Sequence, residues 1–145
     1  MNIKDILKWF KKAVPEPTIE TACVQIGCHY EELAEMAQCI GDDCLADAAN
    51  IDSGHYKNKN DAYLVDLELL ADDSESKIEL LDSLCDQIVT AVGVAHMLGF
   101  DIEKALDEVN RSNWSKFENG KPLFDKNGKI KKGQSYFKPD LSKFV

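Results

Sequence analysis

Apolar and polar positions alternate with a helical period along most of the chain. Residues 3–13 place Ile3, Ile6, Leu7, Phe10 and Ala13 on one stripe, with Lys4, Asp5, Lys8 and Lys11 elsewhere, the spacing of an amphipathic helix. Pro15 and Pro17 end it, because proline lacks the N–H and clashes with the preceding turn. A second helix is predicted over 18–41, with Ile19, Ala22, Ile26, Leu33, Met36 and Ile40 as its core face. Residues 43–52 read as a short helix or a continuation, 53–60 (SGHYKNKN) as a loop by composition, and 61–71 as three helical turns. Asp72-Asp73-Ser74 is a break, and Ser76 with Glu79 three residues later reads as a capping box. The longest periodic element, about 75–98, carries Ile78, Leu81, Cys85, Ile88, Val89, Val92 and Met97 over a broad arc and stops at Gly99. Asp101 caps a shorter helix running to Val109 or Arg111. After Phe117 the period is lost to two Asn-Gly pairs, prolines and glycines, with hairpin character over 126–130.

These elements predict an all-α fold of four to six helices. The expected organisation is one domain over 1–145, with a helical body (1–112) and an irregular basic C-terminal arm (113–145). Helices apolar over such wide arcs are expected to complete their core against a second copy, as a dimer or tetramer.

Length agrees with one domain, since 145 residues lie within the usual range of roughly 100–200. No apolar run approaches the roughly 20 residues that span a bilayer. The first thirteen residues are charged throughout and lack the apolar core of a secretory signal. Five cysteines (23, 28, 39, 44 and 85) are an odd number without tight pairing, which suits reduced thiols in the cytoplasm. Cys23 and Cys28, like Cys39 and Cys44, are five residues apart, which on a helix turns them about 140° away from each other and disfavours a shared zinc.

Charge refines the picture. The formal net charge is −9, which disfavours nucleic-acid polymers and anionic membrane surfaces as partners. The acidity is uneven: residues 111–145 hold nine cations and three anions, and residues 1–110 hold eight cations and 23 anions. An acidic body with a basic arm requires an explanation.

Two carboxylate clusters stand out. Glu31, Glu32 and Glu35 lie inside the second predicted helix; Glu79, Asp82 and Asp86 lie inside the longest. Residues three or four apart share a helix face, and like charges stacked there repel by a few tenths of a kcal/mol per pair. Both clusters sit among apolar residues, where unpaired charge is costly. A divalent cation would remove both costs, and oxygen ligands without Cys or His suit Mg²⁺ or Mn²⁺. A solvated acidic face is the competing explanation. A di-iron bundle would need Glu-x-x-His, and none of His29, His55 and His96 has a glutamate three residues before it. His29 and His96 read as structural helix residues.

Glu32-x-x-Glu35 followed by Glu79-x-x-Asp82 resembles the carboxylate signature of the all-α NTP pyrophosphohydrolase superfamily, with its MazG-like proteins, phosphoribosyl-ATP pyrophosphohydrolases and dimeric dUTPases. The stretch Glu108-Val-Asn-Arg-Ser-Asn-Trp-Ser-Lys116, with the later Asn119-Gly-Lys-Pro and Asn127-Gly-Lys-Ile, looks like the C-terminal segment of a MazG-like branch. The resemblance covers about residues 18–140. The gap from Glu35 to Glu79 departs from the compact spacing of that superfamily, through an insertion that includes the 42–60 region, and leaves substrate choice open.

The resemblance implies a MazG-like bundle and Mg²⁺-dependent cleavage of a nucleoside triphosphate between its α- and β-phosphates, giving a monophosphate and pyrophosphate. Glu32, Glu35, Glu79 and Asp82 would hold metal, with Asp86 as a further ligand, and Glu31 would orient or deprotonate the water. Arg111, Lys116 and the lysines after it would meet the triphosphate, Asn110 or Asn113 would hydrogen-bond base or sugar, and Trp114 or Tyr136 would stack on a base or, for Trp114, fill the core. The alternatives are phosphoribosyl-ATP hydrolysis, against which Asp86 stands where a His is usual, and a non-enzymatic helical interaction module on the same scaffold.

Overall fold

The computed structural model describes residues 3–145. It holds six helices: α1 (Ile3–Ala13), α2 (Ile19–Cys39), α3 (Asp43–Lys57), α4 (Asp61–Asp72), α5 (Ser74–Met97) and α6 (Ile102–Trp114). The described residues form no strand; Glu118 and Lys121 pair in an isolated antiparallel β-bridge. The fold is therefore all-α. None of these helices is long and apolar enough to cross a membrane. The chain divides into two compact units, one formed by 17–74 with 124–129, the other by the residues through 16 with 75–123 and 130–145.

In the first unit α2 and α3 form a tightly packed antiparallel hairpin. Thr18 caps α2, its Oγ1 accepting from the Thr21 amide while Thr21 Oγ1 accepts from the Thr18 amide. Asp42 caps α3 by accepting from the Leu45 amide. The buried face of α2 is Cys23, Val24, Gly27, Ala34 and Ala37, against Ala46, Ala49 and Ser53 of α3. This displaces the expected face: Ala22 is exposed, as are Met36 (49%) and Ile40 (73%). The reason is steric, because small residues let two backbones approach closely. A Cβ on Gly27 would lie 2.8 Å from the Ser53 carbonyl oxygen and 2.9 Å from the Lys57 nitrogen.

The same contact overturns the expected loop at 53–60. Residues 53–57 continue α3, held by Ser53 Oγ donating to the Gly27 carbonyl (2.7 Å) and Cys23 Sγ donating to the Tyr56 carbonyl (3.3 Å). Tyr56 packs edge-on against Tyr30 and Tyr63. Tertiary packing thus overrides a loop-like composition.

In the second unit α1, α6 and the C-terminal arm share a core of Trp9, Ala13 and Phe117, flanked by Phe10, Val14 and Ile130. Trp9 stacks on Phe117 at 5.5 Å and donates its Nε1–H to the Asn113 carbonyl at 2.9 Å. Helix α6 runs to Trp114, past the expected end. Ser112 Oγ donates to the Phe137 carbonyl, the Gly133 amide to the Lys116 carbonyl, and the Asp101 amide to the Phe144 carbonyl. The parts of the irregular arm that belong to this unit, 113–123 and 130–145, are therefore pinned within it. Helix α5 begins at Ser74, which puts Ser76 in its first turn rather than at an N-cap. Gly99, at φ +80°, turns the chain after it. Ala95 is the one buried residue on α5; Ile78 (69%), Leu81 (62%), Ile88, Val89, Val92 and Met97 are exposed.

Candidate functional site

Helix α2 carries Glu31, Glu32 and Glu35 between and beside the small residues, Gly27, Ala34 and Ala37, that it buries. Glu31 is partly buried, and its Oε2 accepts from two ammonium groups, Lys57 at 2.8 Å and Lys129 at 2.6 Å. Burial alone would push the Glu31 carboxyl up, but the hydrogen bonds and charges of Lys129 and Lys57 outweigh it and hold the group below the usual carboxylate value. Lys129 shows the converse balance, with burial lowering it and Glu31 raising it to a net upward shift.

Lys57 ends α3; Lys129 comes from a tight loop 98 residues further along than Glu31. That loop is shaped by Asp125, whose Oδ1 accepts from the amides of Asn127 (2.8 Å) and Lys129 (2.9 Å). The Asp125 amide donates to the Lys129 carbonyl, and Gly128 supplies φ +87°. The chain turns back on itself here, where the sequence predicts hairpin character over 126–130. Lys59, itself at φ 53°, donates to the Asn127 carbonyl at 2.8 Å. Lys57 and Lys59 were not singled out from sequence; Asn127 and Lys129 belong to the Asn127-Gly-Lys-Ile stretch that carries part of the resemblance, but nothing in it marked a contact with Glu31.

Glu32 and Glu35 are exposed, so water solvates them and the expected burial cost does not arise. Glu79, Asp82 and Asp86 occupy successive turns of α5 and are exposed too. The expectation of costly charges in an apolar setting is corrected there for the same reason. Each helix aligns two or three carboxylates, and Mg²⁺ is commonly held by one or two, with water and phosphate oxygens filling its other positions. Among the described residues no three His, Cys, Asp or Glu side chains are gathered to hold a metal ion.

The nucleotide-contact candidates lie at the end of α6. Arg111 is forked onto Glu108, with Nε 2.9 Å from Oε2 and Nη2 2.7 Å from Oε1, and its guanidinium lies 4.3 Å over the Phe137 ring. The Asp140 amide also donates to Glu108. The bonds from Arg111 and from the Asp140 amide hold the Glu108 carboxyl below its usual value. Asn110 and Asn113 line a shallow apolar pocket with Trp9, Phe10 and Leu106. Lys116 places its ammonium 5.7 Å from the Trp9 ring centroid. Trp114 is partly exposed and meets Phe117 edge-on. His29 and His96 are both exposed. All five cysteines are free, and burial raises the thiols of Cys23 and Cys28.

No family model, no curated protein and no solved structure matches this chain.

Proposed function

We propose that the protein is a Mg²⁺-dependent nucleoside triphosphate pyrophosphohydrolase that yields a monophosphate and pyrophosphate. The observation that carries this reading is the pair of aligned carboxylate steps, Glu32–Glu35 on α2 and Glu79–Asp82 on α5, set in helix interiors rather than in loops. Such steps supply oxygen ligands on a rigid frame, with Asp86 one turn further. Hydrolysis of a phosphoanhydride asks for charge on the phosphate oxygens and a positioned water. Glu31 serves as the water-orienting group only once its two lysines are drawn elsewhere, since a carboxylate held by two cations is a poor base. Asn110 and Asn113, at the rim of a pocket walled by Trp9 and Phe10, offer donors and acceptors to a base or sugar.

A second copy completes the assembly in this reading. The exposed apolar residues of α5 recur at 78, 81, 85, 88 and 92, the three-four spacing of a helix-pairing seam. The same seam favours a second reading, a helical self-association module without catalysis. Incubating the purified protein with a panel of canonical and modified nucleoside triphosphates and Mg²⁺ separates the two. The enzyme reading expects pyrophosphate release that falls by orders of magnitude in Glu35→Gln and Asp82→Asn. No release from any nucleotide, with folding and self-association intact, leaves the module.

A further inference from the structure

The unit built on α2–α4 carries four lysines against fourteen carboxylates, and all four lysines lie within 57–59 and 126–129. Spread over an acidic unit, those cations would relieve its self-repulsion best. Instead they gather at the corner after α3 and in the loop docked on it. Lys57 and Lys129 both reach Oε2 of Glu31, so two ammonium groups sit close enough to share one acceptor atom. Glu31 is the carboxylate bonded to both, while Glu32 and Asp125 act on Lys129 through charge. Lys59, fixed on the Asn127 carbonyl, adds a third cation to the same corner. A phosphate group carries close to two negative charges and three acceptor oxygens, which matches a lysine pair better than a single carboxylate does.

We propose that Lys57 and Lys129 form a binding site for the polyphosphate of a nucleotide, with Glu31 as its built-in substitute anion. The choice of a nucleotide as the source of that polyphosphate rests on the function proposed above; the site itself rests on the lysine geometry. Binding is an exchange of partners. Both ammonium groups keep their protons and turn from the Glu31 carboxylate to phosphate oxygens, and Glu31 is released as a free carboxylate. The loop stays docked through Lys59 and Asn127. Filling the site and freeing the water-orienting group are then one event, so Glu31 stays quenched until a polyphosphate arrives.

The test is calorimetric titration of the full chain with inorganic triphosphate, free of Mg²⁺, beside Glu31→Gln, Lys129→Gln and Lys57→Gln, each checked for helical content. Removing the internal competitor in Glu31→Gln tightens binding by about tenfold, and losing either lysine weakens it by about tenfold. In amide NMR spectra of the wild type, the signals of residues 125–129 shift on titration. Equal affinity in Glu31→Gln and Lys129→Gln, or no binding by any form, overturns the site. Triphosphate binding as described without hydrolysis of any nucleotide keeps the site and removes the hydrolase. Hydrolysis with triphosphate affinity unmoved by these substitutions keeps the hydrolase and removes the site.

Discussion

Two glycines on facing helices have opposite reasons for being there. A Cβ on Gly27 would press on backbone atoms of Ser53 and Lys57, whereas one on Gly54 meets nothing within 4 Å. Gly27→Ala is therefore expected to destabilise by about 1–3 kcal/mol, the usual cost of overpacking. Gly54→Ala should stabilise by about 0.5–1 kcal/mol through helix propensity. Urea unfolding measures both, and equal shifts of one sign would contradict the close approach of α2 and α3. The Glu31 cluster adds a pH signature. Its carboxyl is depressed on folding, so its stabilisation is complete above the ordinary carboxylate range, near 4.5, and is lost as pH falls through the depressed value. Lys129 is raised, so its share is complete below the ordinary lysine value of 10.5 and is lost as pH rises through the raised one. Glu31→Gln should flatten the acid limb of a stability–pH curve while costing about 1 kcal/mol or less at neutral pH, given the partial exposure of the pair. An acid limb identical to the wild type would rule out this account.

At the scale of elements, α5 is the outlier. Its large apolar residues are open along three turns and more, and burying each would contribute about 1.5–3 kcal/mol. Leu81→Glu and Ile88→Glu are expected to abolish self-association in sedimentation velocity over a concentration series, with little loss of helical signal. A wild type that stays monomeric throughout the series would refute the seam. Helices α1, α2, α4 and α5 were legible in the sequence because large apolar residues recur at helical spacing and Pro15, Asp73 and Gly99 punctuate them. The end of α3 was not, since SGHYKNKN carries no apolar period and is helical only because Ser53 and Tyr56 pack on α2. The buried face of α2 was misread for a related reason: its contact is made by Cys23, Gly27, Ala34 and Ala37, which weigh little in any hydrophobic count. The carboxylates of the candidate site were visible as spacing. The pairing of Glu31 with Lys129 was not, because nothing local marks a contact between residues 98 apart.

For the whole molecule, the contrast of acidic body and basic arm has one concrete meaning: a lysine of the arm neutralises a glutamate of the body. The loop that does this begins and ends in segments belonging to the other unit, at Leu123 and Ile130. Ile130 packs beside Trp9 and Phe117. Trp9→Ala should cost about 3–5 kcal/mol in its own core. Urea unfolding of Trp9→Ala, read against the wild type, checks this; an unchanged midpoint would mean that the Trp9–Phe117 stack carries no stability.

The placement of that loop also sets an order of events during synthesis. Helices α2, α3 and α4 leave the ribosome with Glu31 able to reach only Lys57, and Lys129 follows after α5 and α6 have been made. The α2–α3 hairpin is a local contact and forms early, while the Glu31–Lys129 closure spans 98 residues and must wait for the larger loop to close. The α2–α4 unit draws on residues 17–74 and 124–129, so a nascent chain reaches its final charge balance only when its basic arm arrives.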